Sequence, residues 1–392
     1  MSAETSSSYE ALQAQANAIS GLFKGRGYEL VAPAYLQPAD LFLDRMGESI
    51  RGRTYVFADL DGEELCLRPD VTLPVCRVYL ERHPEAGVET RYCYNGPVFR
   101  FQPGGGDAAR PREFRQAGIE HIGSADREGS EAEVTALIVE AVRSAGLHGF
   151  TLQIGDLGLF EALVQALDIP ERWRARMRHF FWRPSVFHDL LRRLSTSQDA
   201  VLSGPEAELI AALDMEDAGR AEAQVAAHLD KAGIPFDGVR ALHEITERLT
   251  DLAADSRQPP LSSETVSLIE SYLTISGRPN ESLTRIADLT SAAGLDLNTS
   301  LENAHTRLDR LGEYGVDLSN AMFNAEFGRD LEYYTGHVFQ IEIPGKGRSG
   351  QIAGGGRYDD LLTSLGAPKD IPAVGSAIHT ERLLSAVQGG AL

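Results

Sequence analysis

The segment Tyr94–Gly123, YNGPVFRFQPGGGDAARPREFRQAGIEHIG, constrains the fold more than any other part of the chain. It reads as two antiparallel strands joined by a Gly- and Pro-rich loop, PGGGDAARP. Successive side chains of a strand point to opposite faces. Phe99 and Phe101 therefore share one face of the first strand, and Val98, Arg100 and Gln102 the other. In the second strand Arg112, Phe114, Gln116, Gly118 and Glu120 share a face. Three polar residues there leave two readings open. One is a solvated outer face, which antiparallel sheets often have. The other is a ligand floor, with Arg100 for an anion, Glu120 for a cation and Gln116 for hydrogen bonds.

The flanking segments supply the rest of the sheet. Tyr9, Leu12, Ala16, Ile19, Leu22 and Phe23 recur at helical spacing up to Gly25–Gly27. A short strand at Tyr28–Val31 and a short helix at Ala39–Met46 follow. Thr54–Asp59 and Glu64–Leu67 form a hairpin about the Asp61-Gly62 turn. Thr72 suits a helix N-cap with Pro74 in the first turn. Glu131–Ala145 is an amphipathic helix and Phe150–Ile154 a strand. Strand patterns then vanish until Ala321–Phe327, Val338–Ile343, Gly350–Ala353 and Pro372–Ile378, the last followed by a helix at Thr380–Val387. Sheet-rich parts at 1–155 and 278–392 thus flank a helical insertion at 156–277, and together are expected to build one antiparallel sheet of an α+β fold. Within the insertion Trp173, Phe180, Phe181 and Trp182 read as core. Arg172, Arg174, Arg176, Arg178 and Arg183 read as a solvated, ion-paired face, or else as a docking or phosphate site.

Composition narrows the function. With 57 acidic against 37 basic residues the net charge is -20, which opposes the grip on a polyphosphate that nucleic acid requires. No apolar run reaches the roughly 18 residues of a membrane span, and the N-terminus, MSAETSSSYEALQAQ, lacks a secretory pattern. A cytoplasmic protein is expected. Cys66, Cys76 and Cys93 make no CxxC and read as buried thiols, with no metal site. Phosphate-loop, HExxH and GxSxG motifs do not occur, and no cofactor is expected. AGGGRYDD reads either as a strand-to-helix turn that needs glycine freedom or as part of a site.

Four ordered segments go further: LRPDVT, GPVFRFQ…REFRQAGIEHIG, FGRDLEYYTGHVF and AGGGRYDDL…IPAVGSAIHTERL. Each resembles a signature of the class II histidyl-tRNA synthetases, and GYELVAPAYLQPADLF resembles their dimer-forming motif. The resemblance spans nearly all of the chain outside the helical middle. It implies a class II aminoacyl-tRNA synthetase-like fold, an antiparallel sheet flanked by helices and usually dimeric. It also implies a histidine pocket at Asp70, Val71, Thr72, Gln116, Glu120, Tyr333 and Tyr334. Arg100 matches the arginine that meets the α-phosphate of ATP, Arg329 the one beside the reacting carboxylate, and Arg112 and Arg382 remnants of the nucleotide site. The chemistry agrees: an imidazole bearing an α-ammonium wants carboxylates and hydrogen-bond acceptors, which Asp70, Glu120 and Gln116 provide. Taken alone, Tyr333-Tyr334 would be an ordinary aromatic pair of a strand.

The departures from that pattern set the functional expectation. Gln102 stands in place of a glutamate, Asp70 in place of a longer glutamate, and His379 in place of a glycine where a ring would crowd the nucleotide site. No anticodon-binding domain of about 100 residues is expected. This combination resembles the synthetase paralogues that serve as non-catalytic regulatory partners of the short-form ATP phosphoribosyltransferase in histidine biosynthesis. The resemblance implies a hetero-oligomer with that catalytic subunit, a homodimer through the class II core, and histidine as ligand. The alternative is a free-standing enzyme that activates an amino acid with ATP.

Overall fold

The structure, a computed structural model, describes residues 6–106, 110–196, 205–215, 217–234, 242–328 and 333–389. Its strands are β1 Glu29–Leu30, β2 Leu36–Pro38, β3 Tyr55–Ala58, β4 Glu64–Leu67, β5 Thr90–Phe99, β6 Glu113–Ile122, β7 Thr151–Asp156, β8 Ser276–Gly277, β9 Ala321–Asn324, β10 His337–Glu342, β11 Gln351–Arg357 and β12 Ala373–His379. Among the described residues, nine of them form one sheet in the order β1-β5-β6-β12-β11-β10-β7-β9-β8, and β2-β4-β3 form a second. Pairing is antiparallel except at β1–β5 and β7–β9. The two ends of the chain therefore do interleave in one sheet, because β12 inserts between β6 and β11.

The Tyr94–Gly123 strands pair as read, with Tyr94 opposite Gly118 and Val98 opposite Phe114. Helices Ser6–Gly25, Arg127–Ser144 and Thr380–Val387 pack on the sheet face that carries Arg91 and His121. On the opposite face Tyr92, Tyr94, Val98 and Phe114 join a core with Phe42, Leu73, Val75, Tyr79 and Leu362. Leu73, Val75 and Tyr79 come from helix Thr72–Arg82 and are fully enclosed. Full burial of such side chains contributes about 1.5–3 kcal/mol each.

Two buried ionic groups lock this arrangement. Arg68 donates to the Pro33 carbonyl at 2.7 Å and the Pro97 carbonyl at 2.9 Å, beneath the Tyr35 ring. A Cβ at Gly96 would stand 2.4 Å from the Arg68 guanidinium, so any larger residue there would have to displace that group from its two carbonyls. Deeper in, Glu131 accepts from Arg307 at 3.0 Å and from Arg357, while Arg307 also donates to Asp156 at 2.9 Å and Arg357 to Asp359 at 2.8 Å. Burial alone would raise the Glu131 pKa, yet Arg307 and Arg357 hold it below the ordinary carboxylate value.

Three expectations are corrected. Helix Thr72–Arg82 is not capped by the Thr72 hydroxyl. Asp70 accepts from the Thr72 N–H at 2.8 Å instead, which frees that hydroxyl for other use. AGGGRYDD is not a turn at its glycines, because Gly354, Gly355 and Gly356 lie within β11. The helical body that stands apart is Arg183–Glu270, narrower than 156–277, with its own core about Ile210, Leu213, Val225 and Ala253. Strand signal does end near Asp156, but helices Leu157–Ala166 and Glu171–Phe180 belong to the larger body. There Trp173 and Phe181 are buried, and Phe181 stacks on Phe160 at 4.0 Å. Arg174 and Arg178 pair with Glu171 and Glu161, the solvated reading of that basic segment.

Candidate functional site

The site is a cavity of about 260 Å³ on the face of the large sheet opposite helix Arg127–Ser144. Its floor is made by small residues in register: Gly118, Ala377 and Gly354 in one row, and Gly375 and Gly356 in the next. At Gly118, Gly356 and Gly375 even a methyl group would clash. A Cβ on Gly118 would sit 2.4 Å from the Tyr94 ring, and one on Gly356 2.9 Å from Tyr334 and 2.5 Å from the His337 carbonyl. The glycines of AGGGRYDD thus serve close approach across strands rather than backbone freedom.

Glu120 ends the second row and is fully enclosed. It meets three hydroxyls: Thr72 Oγ1 at 2.8 Å, Tyr94 at 3.2 Å, and Tyr358. Burial pushes its pKa up to about 8; the hydroxyl bonds oppose this and the Asp70 charge adds to it. The Glu120 side chain therefore lies beneath the cavity wall, whose surface is Asp70, Thr72, Gln116, Tyr333, Tyr334 and Tyr358. An unfolded glutamate titrates near 4.5, so folding binds a proton between about pH 4.5 and 8. Stability from this group is full below the lower value and lost as pH rises through the upper one. Glu120→Gln abolishes that dependence. The variant is expected to match the wild type near pH 5 and to exceed it by about 1–3 kcal/mol at pH 8.5 in urea unfolding. Parallel pH profiles for the two proteins would exclude a buried, protonated Glu120.

Tyr333 and Tyr334 form the facing wall, their rings 4.8 Å apart, with Tyr358 edge-on to Tyr333 at 5.8 Å. Gln116 is buried, and its Oε1 has no hydrogen-bond partner among the described residues. An acceptor left open beside a cavity marks a place for a ligand donor. Arg53, Arg100, Arg348 and Arg382 line the other end, with Phe114 and His379. Arg100 donates to the Pro69 carbonyl at 2.9 Å, approaches Asp70 at 4.0 Å and lies 5.2 Å from the Phe114 ring centre. Burial, and then the charges of Arg100 and Arg348, bring Arg382 down to about 10. The cavity is therefore bipolar, with carboxyl and hydroxyl groups at one end and guanidinium groups at the other.

Of the residues expected here, Asp70, Thr72, Arg100, Gln116, Tyr333, Tyr334 and Arg382 do converge on the cavity. Val71 does not: it is core-buried as the residue that starts helix Thr72–Arg82. Arg112 does not either. It precedes β6, where strand alternation no longer applies, and its exposed guanidinium lies over Phe101. Arg329 lies outside the described residues, as does the loop tip 107–109. Tyr94 and Tyr358 were not anticipated; the signal was the pairing of Tyr94 with a glycine, which leaves its ring room to lie over the next strand. All three cysteines are buried and free.

Sheet and pocket together define a protein of the histidyl-tRNA synthetase class. The family model described as histidyl-tRNA synthetase matches residues 5–257 and 184–383. A solved structure from Bacillus halodurans, an ATP phosphoribosyltransferase regulatory subunit/histidyl-tRNA synthetase, shares the fold with a TM-score of 0.67 at 21% identity, over 99% of this chain and 82% of that one. Histidyl-tRNA synthetase from Nostoc does so with a TM-score of 0.63 at 18% identity, over 99% and 76%. The chain is 35% identical to the ATP phosphoribosyltransferase regulatory subunit of Mesorhizobium japonicum over 369 residues, 93% of this chain and 95% of that protein. It is 35% identical to that of Allorhizobium ampelinum over 374 residues, 94% and 96%. The chain belongs to the family of ATP phosphoribosyltransferase regulatory subunits.

Proposed function

We propose that this protein is the regulatory subunit of a short-form ATP phosphoribosyltransferase, acting in the first step of histidine biosynthesis, and that it binds histidine in the cavity without catalysing a reaction itself. The observation that carries the reading is the size and polarity of the cavity. Ligand pockets commonly span about 300–1,000 Å³; a cavity of about 260 Å³ suits one amino acid rather than an amino acid with a nucleotide beside it. Asp70 and the Gln116 oxygen suit an α-ammonium, the Tyr wall an imidazole, and Arg100 a carboxylate. Regulation then requires that histidine bind two assembly states unequally.

Reconstitution tests the proposal. The purified chain is mixed with a short-form catalytic subunit, and phosphoribosyl transfer is followed with and without histidine. The expected result is a complex, a higher rate and inhibition by histidine; no complex and no change in rate would reject it. In calorimetry, Tyr334→Ala is expected to weaken histidine binding at least about tenfold, or ~1.4 kcal/mol, with the unfolding midpoint little changed. An unchanged affinity would remove the Tyr wall from the pocket.

A homodimer fits the small sheet. Leu36, Pro38, Leu65, Leu67, Tyr55 and Phe57 share one face by register, and none of them is buried. An apolar face of this kind marks an interaction surface, and it continues from the stretch that resembles the class II dimer motif. The retained Arg100 and Arg382 favour one second reading, an amino-acid-activating enzyme. Histidine-dependent exchange of pyrophosphate into ATP would support it. Among the described residues no helix is long and apolar enough to cross a membrane, and a cytoplasmic location remains part of this proposal.

A further inference from the structure

At the arginine end of the cavity one side chain sits where a ligand could. His379 ends β12 directly across the ladder from Gln116. Its imidazole lies flat on Phe114, with ring centres 4.3 Å apart and planes within 6° of parallel. Neither ring nitrogen has a hydrogen-bond partner among the described residues; the Glu381 carboxylate stands 3.5 Å from Nδ1 without completing a bond. Hydrogen bonding therefore does not explain this placement, and the contact that the geometry does show is the parallel stack on Phe114. Burial disfavours the charged imidazolium, as do the Arg382 and Arg100 charges, and together these outweigh the Glu381 carboxylate that favours it. The ring is thus a neutral, planar heterocycle between an aromatic face and two guanidinium groups.

Those surroundings are what a purine nucleotide needs. A flat aromatic face is a platform on which a base stacks, and Arg100, Arg348 and Arg382 line the same end of the cavity. Charge alone would admit the phosphates of any nucleotide, and the Phe114 face beside these arginines is already covered. We propose that His379 is a built-in plug: by occupying the face of Phe114 it excludes purine nucleotides from a cavity otherwise furnished to hold one. The inference concerns nucleotide exclusion; it shares Arg100 with the histidine reading but does not require histidine to bind.

The test titrates the full-length chain with Mg-ATP by calorimetry, and in parallel with inorganic tripolyphosphate as a phosphate-only probe. His379→Gly is expected to bind ATP at least about tenfold more tightly than the wild type, and tripolyphosphate equally. His379→Phe refills the slot with a ring and is expected to stay closed. Adding Phe114→Ala to His379→Gly is expected to erase the gain, because the base loses its platform. Equal ATP affinity of wild type and His379→Gly overturns the proposal, as does a gain that survives Phe114→Ala. Should His379→Gly fail to fold, as judged by near-ultraviolet dichroism, His379→Ser carries the same expectations. Histidine affinity measured in the same preparations separates this outcome from failure of the histidine reading.

Discussion

Glu131→Ala is expected to lower the unfolding free energy by about 3–5 kcal/mol, since it takes one charged hydrogen-bond partner from each of two buried guanidinium groups. Glu131 and Arg307 are both nearly inaccessible, and Arg357 is equally enclosed. Removing the carboxylate leaves Arg307 with Asp156 and Arg357 with Asp359, each guanidinium with one of its two carboxylate partners gone. Urea unfolding followed by tryptophan fluorescence reads this cleanly. The chain's two tryptophans, Trp173 and Trp182, both belong to the larger body, so the smaller helical body does not contribute. A loss below about 1 kcal/mol for Glu131→Ala would mean that the cluster is hydrated and contributes as a surface pair does.

Gly375→Ala is expected to weaken histidine binding by about thirtyfold or more, near 2 kcal/mol, and to destabilise the fold by about 1–3 kcal/mol. Its Cβ would fall 1.5 Å from a Glu120 oxygen and 2.9 Å from the Ile119 carbonyl. Glu120 cannot simply swing aside, because Thr72, Tyr94 and Tyr358 hold it on three sides. Displacing it therefore disturbs Thr72 and Tyr358, which line the cavity. A double-mutant cycle supplies the check. In the Glu120→Gly background the added methyl has space, so Gly375→Ala is expected to cost at least ~1 kcal/mol less there than in the wild type. Strict additivity would show that the methyl acts through the Ile119 backbone alone.

Why some of this was legible in the sequence, and some not, follows from the physics of each residue. Strand alternation placed Phe114, Gln116 and Glu120 on one face, and the structure keeps them there because β6 is regular from Glu113 to Ile122. The same alternation fails for Arg112, one residue outside the ladder. Glu120 carried the right position and the wrong chemistry. Its spacing could not reveal that three hydroxyls from residues 72, 94 and 358 would enclose it, since those contacts join segments far apart in the chain. The glycines at 354–356 invited a turn reading, because local sequence reports conformational freedom more readily than a neighbour's proximity across a sheet. His379 was suspect from its place in the motif, but only coordinates reveal the flat stack that turns a crowding ring into an occupant.

The interleaved strand order has a consequence for how the protein comes into being. β6 gains its second partner from residues 373–379, roughly 250 positions later in the chain, so this seam closes a very large loop. A nascent polypeptide leaving the ribosome will carry β6 with one flank bare for most of its synthesis, including the apolar positions Phe114, Ala117, Ile119 and Ile122. Such an edge is open to mispairing with another copy. Yield in the cell should then track chaperone supply and elongation speed more closely than it tracks the thermodynamic strength of the finished sheet.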